Sequence, residues 1–574
     1  MKIKNITIHN FRSVLDGQFN LDNYTLLVGE NNAGKTTIIT AIRTFYEDGG
    51  TKYNENRDFP KVETTDKESW AEIEFEITNE EKENLKEEYK NENNTIKIRK
   101  FFKSDTKEYT GNLYAYIDGE LTYENQFYGD TNIGKKKLGE ILYIPAFSKT
   151  DDGLKLTGPS YLKKLIEFVF KKAVEGTEIY ENLKNAFNTF NSAINKEDTE
   201  NEFSFSNLSK DVDNELNQFG LGFKLDVNPI EPNDIVKNLI QHTYTDQNLN
   251  SKIEDVSTLG QGVQRHLIYT LIKLSIKYTE KKKEKKKDFA PNYTLLLFEE
   301  PEAFLHPSQQ EQLNLNLKIL SNQDEQQVLI TTHSPTFVSK NTQDIKGIAR
   351  INKIKGVSKI NQLNATELES LFTDNLGLYS HFCNLVSTTT DSTLKKKYLK
   401  LGSETPDLIK KLEEETLRFF LWLDTERASL FFAKHIVICE GASEKIFLDL
   451  LVSEKWNDLK HKHIYFLDAL GKFNIHRYLN LFGCLGIKHS VLMDKDKDAE
   501  IHSELNDFID RHRNSLTINI DTFEEDLETF LEIDKPSKDR NDLKPLNIIM
   551  NYQKGNIKED KLTALKSKIE NLLM

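Results

Sequence analysis

An apolar stretch, Thr25-Leu26-Leu27-Val28, runs directly into Gly29-Glu30-Asn31-Asn32-Ala33-Gly34-Lys35-Thr36 and then into a helical pattern from Lys35 to about Phe45. Strand, Gly-x4-Gly-Lys-Thr, helix is a phosphate-binding loop in its required context. No other segment constrains the fold as much, because it commits the N-terminal part to an α/β architecture. The glycines let backbone N–H groups approach phosphate oxygens, and Lys35 supplies a fixed charge for the β/γ-phosphates. Thr36 offers a hydroxyl to Mg²⁺, and Asn32 and Thr37 complete the segment expected to touch nucleotide.

The 574 residues are too many for one core, so two to four domains are expected. Hydrophobic content of 37% and charged content of 29% fit globular domains rather than disorder. No long uninterrupted apolar run is present, so no membrane span is expected. The alternation in Met1-Lys2-Ile3-Lys4-Asn5-Ile6-Thr7-Ile8 reads as a first strand rather than a signal peptide. Cys383, Cys439 and Cys484 are widely spaced, which suggests neither a zinc site nor a disulfide framework and suits a reducing cytoplasm. The net charge of −14 argues against a surface that coats DNA uniformly, but phosphate contacts need only a local basic groove. The basic runs Lys135–Lys137, Lys281–Lys287 and Lys395–Lys397 read mainly as solvated faces.

Pattern and spacing divide the chain into an α/β multidomain arrangement. Residues 1–154 hold the first part of a nucleotide-binding head. Within them, 71–77 and 95–101 alternate as antiparallel strands with one wet face, and 142–146 reads as a buried strand. Residues 155–255 turn helical and polar, as an inserted module that could dimerise or merely pack. Residues 256–355 complete the head, 356–430 form a helical connector, and 431–574 form a second α/β domain.

The remaining nucleotide-site parts follow in order. The apolar strand ending at Phe298 delivers Glu299 and Glu300, where a magnesium-orienting and a water-orienting carboxylate belong. Glu299 stands where Asp is usual, so its coordination of metal is expected to be indirect. The next core strand delivers His333 to the place of a γ-phosphate sensor. The segment Ser257–Arg265, with Gly260 and Gly262, begins a helix and could present N–H groups to the phosphate of a facing subunit. These elements in this order resemble the ABC-type ATPase heads of recombination and chromosome-maintenance proteins. The resemblance implies that two heads sandwich ATP, in a homodimer or homotetramer.

In the C-terminal part, Glu440 ends a buried strand, Gly441 permits a tight turn, and Glu444 falls in the first turn of the next helix, so both carboxylates can face one cavity. A second apolar strand, Ser490-Val491-Leu492-Met493, is followed by Asp494 and Asp496, which share a side if the chain stays extended; Asp498 could join them. Converging carboxylates repel strongly unless they bind cations, and hard oxygen ligands suit Mg²⁺ or Mn²⁺. Such a pair of ions would activate water and stabilise a leaving oxygen. The Glu-Gly…Asp-x-Asp arrangement resembles the toprim domain of topoisomerases, primases and certain nucleases. The tyrosine-bearing module of a topoisomerase and the template-handling modules of a primase are not evident.

The whole order, including Thr425-Glu426-Arg427-Ala428-Ser429-Leu430-Phe431-Phe432-Ala433-Lys434 before the Glu440 strand, is similar to the overcoming-lysogenization-defect (OLD) nuclease family, over nearly the full chain. That family pairs an ATPase with a toprim nuclease and includes anti-phage effectors such as the Gabija nuclease subunit and retron-associated nucleases. The resemblance implies an ATP-regulated, metal-dependent DNA endonuclease or nickase. Its expected ligands are ATP, Mg²⁺ or Mn²⁺, and DNA. A defence partner would be a helicase subunit, or a reverse transcriptase with its RNA–DNA product. By motif position, Glu440, Glu444, Asp494, Asp496, Asp526 and Glu528 match the family's metal ligands. A lysine near the scissile phosphate would be Lys544 or Lys554, with Lys544 preferred. Two other readings are an ATPase of DNA repair whose toprim domain is a scaffold, and a defence subunit silent without its partner.

Overall fold

The computed structural model describes residues 1–146, 177–194, 205–216, 244–246, 251–253, 289–303, 305–338, 342–402, 427–495 and 500–574, with isolated positions between 166 and 274. Asp496, Asp498, Gly262, the Gln264-Arg265 end of the glycine segment and the Lys281–Lys287 run lie outside the described residues. The chain divides into two compact units. One comprises Met1–Ile141, Phe289–Glu302 and Asp324–Met574; the other comprises Leu142–Asp288 and Ala303–Gln323.

The first unit opens with β1 (Lys2–Phe11), β2 (Val14–Asn20) and β3 (Tyr24–Val28), and β3 leads through the phosphate loop into the helix Lys35–Tyr46. Then β4 (Ser69–Glu76), β5 (Thr95–Lys103), β6 (Leu113–Ile117) and β7 (Glu120–Gln126) join the first two strands in an antiparallel sheet of order β2-β1-β4-β5-β6-β7. The alternation expected at 71–77 and 95–101 is present: Ile73, Phe75, Ile96 and Ile98 are buried. On the opposite face Glu72 is held by Lys97 at 2.6 Å and Arg99 at 2.8 Å, so this carboxylate is buried but compensated.

β8 (Glu140–Ile144) reaches the edge of a second sheet, where Glu140 N–H donates to Tyr293 O at 2.9 Å. The second unit carries the helices Glu178–Ile194 and Phe205–Leu216 and the hairpin β9 (Tyr244–Asp246)–β10 (Ser251–Ile253). It is wider than the 155–255 insertion expected from sequence. Back in the first unit, β11 (Thr294–Glu299), β12 (Gln326–Thr331), β13 (Ile348–Ile354) and β14 (Val357–Gln362) complete the second sheet, in the order β14-β13-β3-β12-β11-β8. β11, β12, β3 and β13 run parallel, and β14 returns antiparallel. β11 and β12 are buried along their whole length, as expected for central parallel strands. Gln327 ties the two sheets together: it accepts from Ile3 N at 2.7 Å and donates to Ile3 O and Leu21 O.

The helices Ala365–Asn375, Gly377–Thr388 and Ser392–Gly402 follow. The C-terminal domain is a parallel sheet of β15 (His435–Cys439), β16 (Ile464–Asp468), β17 (Lys488–Asp494) and β18 (Thr517–Phe523), in the order β16-β15-β17-β18. Its core packs Val437, Phe447, Leu451, Phe466 and Leu492 against Leu565 and Ile569 of the last helix, Glu559–Leu572. Because β15 and β17 are neighbours in parallel, their C-terminal ends open side by side. Crevices at such ends are where α/β folds place ligands. No helix among the described residues is long and apolar enough to cross a membrane.

Candidate functional sites

The phosphate loop is built by left-handed backbone at Gly29 (φ 138°), Asn32 (φ 62°) and Gly34 (φ 117°). A Cβ on Gly34 would lie 2.3 Å from Ser358 Oγ, so glycine is required there for space as well as for φ. Ser358 donates its one hydroxyl proton to Ala33 O at 2.6 Å and accepts from the Ser13 hydroxyl at 2.8 Å, bracing the loop from β14 and from the β1–β2 turn. Lys35 is buried, and its ammonium donates to Gly29 O and Glu30 O, both at 2.8 Å. Burial pulls its pKa down to about 8, against the opposing charges of Glu300, Glu302 and Glu30. Thr36 is exposed at the start of the helix, and Thr37 is buried beneath it.

β12 lies between β3 and β11, so the residues at their C-terminal ends converge on Lys35. Glu299 is the last residue of β11 and is buried. Glu300 turns off the sheet with φ 44°, and its Oε1 stands 3.6 Å from His333 Nε2. The His333 pKa is lowered by burial and by the Lys35 charge, which favours a neutral ring there. Glu302 is a participant the sequence reading passed over. It accepts the His333 N–H at 2.6 Å, and burial raises its pKa. It stands two residues beyond the Glu299-Glu300 pair, in the turn after β11, where no periodicity singles it out. Gly260 is described, with its carbonyl accepting from Val263 N at 2.9 Å, but it lies in the other unit.

In the C-terminal domain, Glu440 follows β15, and its Oε2 accepts the Asp494 N–H at 3.0 Å, joining the ends of β15 and β17. Glu444 reaches back to accept Gly441 N–H at 3.1 Å as the helix Ala442–Glu454 begins. Burial pushes the Glu444 carboxyl up to about 7, reinforced by the negative charges of Glu440 and Glu528 and opposed by the Gly441 N–H. Glu528 is 1% exposed; its Oε1 accepts no hydrogen bond, and Lys544 Nζ is 3.9 Å away. Lys544 begins the helix Lys544–Gln553, whereas Lys554 caps its other end and is exposed.

Asp526 is engaged differently. It caps the short helix Leu527–Leu531 by accepting from Thr529 N and pairs with Lys535 at 2.7 Å. Burial opposes its ionisation, but Lys535 and Thr529 hold its carboxyl below the usual range. Lys472 was missed from sequence. It is buried, with Nζ 2.5 Å from Asp494 O and 3.7 Å from Glu440 Oε2. Nothing in Gly471-Lys472 separates it from an ordinary loop lysine until the turn after β16 folds over the end of β15, where Gly471 N–H donates to Glu440 O.

Among the described residues no trio of His, Cys, Asp or Glu is already drawn tight enough to enclose a metal ion. The chemistry of this corner nevertheless fits a divalent cation. A buried Glu528 oxygen without a hydrogen bond and a Glu444 carboxyl pushed up by burial and then by its acidic neighbours are both relieved by one.

Residues 1–338, more than half of the chain, match the AAA ATPase domain family, and residues 431–496 match the overcoming lysogenization defect protein-like TOPRIM domain. The chain belongs to the AAA ATPase domain family and joins its head to an OLD-like TOPRIM domain. It is similar to the Old nuclease of Escherichia phage P2, with 23% identity over 531 residues, 86% of this chain and 77% of that protein. It is likewise similar to Endonuclease GajA of Bacillus cereus (strain VD045), with 23% identity over 513 residues, 86% of this chain and 75% of that protein. Among solved structures it is similar to the SmcHead bound to the C-winged helix domain of ScpA. The identity is 16%, the coverage 64% of this chain and all of that one, and the TM-score 0.36. An ATPase domain and a TOPRIM domain in one chain entail the use of a nucleotide and a divalent metal.

Proposed function

We propose that this chain is a divalent-metal-dependent DNA endonuclease or nickase, regulated by ATP and acting in anti-phage defence. The observation that carries the reading is the meeting of Glu440 and Asp494 across adjacent parallel strands, with Glu444 and Glu528 buried beside them, in a chain that also has a complete phosphate loop. The relatives named as nucleases, similar over most of the chain, support it.

In this reading Glu440, Asp494 and Asp496 hold Mg²⁺ or Mn²⁺, with Glu444 and Glu528 completing the shell. The cations supply Lewis acidity to the scissile phosphate and lower the pKa of attacking water. Lys544, beside Glu528, meets a non-bridging phosphate oxygen of DNA; Lys554, at the other end of its helix, does not. Asp526 can join the ligands only by giving up its cap and its Lys535 pair, so its first role is to fix the segment that carries Glu528. At the other site Lys35, Thr36 and Thr37 bind ATP with Mg²⁺, Glu300 and His333 orient water, and Glu299 acts through solvent. Gly260 and Gly262 would complete the γ-phosphate contacts of a second copy, which makes a homodimer or homotetramer the working form. A helicase or reverse-transcriptase partner fits the same family resemblance.

The test is incubation of the purified chain with supercoiled plasmid in Mg²⁺, Mn²⁺ or chelator, with and without ATP. Relaxed or linear product that requires the metal and responds to ATP is expected. Intact plasmid under every metal and nucleotide condition would overturn the reading.

A further inference from the structure

The end of the phosphate-loop strand and the two carboxylate-bearing strands are joined within one chain. β13 pairs with β3 so that Arg350 stands opposite Val28, the residue before Gly29. The loop lies flush on β13, since a Cβ on Gly29 would fall 2.1 Å from Ile351 O. Arg350 is 3% exposed. Its guanidinium donates to Phe431 O at 3.1 Å, Ala433 O at 2.9 Å and Gly486 O at 2.9 Å, with Leu485 O at 3.4 Å. Those carbonyls lie just ahead of β15 and β17, the strands whose far ends carry Glu440 and Asp494. A second link runs beside it: Lys434 Nζ is 3.4 Å from Glu30 Oε2, and Glu30 is inside the phosphate loop.

We propose that Arg350 and the Glu30–Lys434 pair are positioning residues that carry the nucleotide state of the loop to the nuclease strands of the same chain. This rests on the reading of the two sites given above. A row of contacts does not by itself couple two sites; an element with two states is needed. Lys35 is that element. Its ammonium now sits on Gly29 O and Glu30 O, and a β/γ-phosphate must draw it off both. Glu30 O then keeps only the Ala33 N–H, at 3.3 Å, while its carboxylate still holds Lys434. The loop can settle anew only by moving against β13 or against Lys434. Both lead into the backbone before β15 and β17, and a packed strand passes a displacement along its length rather than absorbing it. The charge of Glu30 is also felt at Arg350: burial lowers the guanidinium pKa to about 10, and Glu30 opposes the fall. A guanidinium suits the task because its fixed planar fork spreads its donors over carbonyls of two separate backbone segments, whereas an ammonium offers its donors from a single point.

Hydrogen exchange on the full-length protein, with and without a non-hydrolysable ATP analogue and Mg²⁺, reads the transmission without needing cleavage. In the wild type, peptides covering 431–440 and 485–495 should change protection when the analogue binds. In Lys434→Ala, a half-exposed position that does not threaten folding, the change at 431–440 should fall by more than half. In Arg350→Lys it should be lost in both peptides, while analogue affinity stays at the wild-type value. A merely structural Arg350 would alter protection equally with and without nucleotide. The proposal is overturned if wild-type nuclease peptides do not respond at saturating analogue, or if both variants respond as the wild type does. Plasmid cleavage on the same preparations separates the two ideas. Transmission without cleavage sinks the nuclease reading, and cleavage without transmission sinks this one.

Discussion

In the phosphate loop the buried charge is a cation, Lys35, and the loop's own carbonyls satisfy it; beyond β15 and β17 buried carboxylates gather around the buried cation Lys472, and Glu528 Oε1 is left without a hydrogen bond. In the first site the lysine is satisfied without a ligand and exchanges one set of acceptors for another when phosphate arrives. The second buries carboxylates at a cost: burial first, and the charges of Glu440 and Glu528 after it, push Glu444 up to about 7, and a cation is what relieves it. A site that exchanges contacts suits a reversible regulator. A site that is short of positive charge depends on its metal for both chemistry and local stability.

That contrast can be broken most severely at Asp494. Asp494→Ala should reduce metal-dependent plasmid cleavage by more than ~100-fold, beyond the loss typical for residues that only support a ligand. Gel quantification of nicked and linear product measures it, and wild-type nicking would remove Asp494 from the metal site. Next in size is the metal's own stabilisation. At a Mn²⁺ concentration ~100 times its dissociation constant the folded chain should gain about 2.7 kcal/mol. Glu528→Gln should lose much of that gain; identical melting of wild type and variant with and without Mn²⁺ would mean the carboxylates need no cation.

Lys35→Ala should raise the nucleotide dissociation constant by at least ~10-fold, about 1.4 kcal/mol, by calorimetry. Glu300→Gln should instead retain nucleotide and slow turnover. The smallest expected effect is at the brace behind the loop. Ser358→Ala leaves Ala33 O without the hydroxyl it accepts from, a cost of about 1 kcal/mol in denaturant unfolding. A loss no greater than that of an exposed serine would show that the brace is incidental.

The two regions were also unequally legible in the sequence. The phosphate loop, β11 with Glu299 and Glu300, β12 with His333, and the strands leading to Glu440 and Asp494 could all be read, because fully buried strands leave uninterrupted apolar runs that end in the functional residue. Glu302 and Lys472 were not picked out. Each acquires its role from a turn, the one after β11 and the one after β16, and turns have no periodicity to read. The β13–β14 hairpin was passed over for a related reason. Arg350-Ile351-Asn352-Lys353 looks like a solvated edge until the C-terminal domain covers the arginine. Asp526 shows the converse difficulty: motif position marks it as a ligand, while the local backbone engages it as a helix cap. Lys544 and Lys554 stood open in sequence, and only the folded helix brings Lys544 alone to Glu528.

The most direct test of the central claim, that one chain carries a nucleotide site and a separate metal-nuclease site, is to assay ATP hydrolysis and plasmid cleavage together on one preparation of Glu440→Ala. The account predicts that cleavage disappears while hydrolysis continues near the wild-type rate. Loss of both activities, or persistence of both, would contradict it.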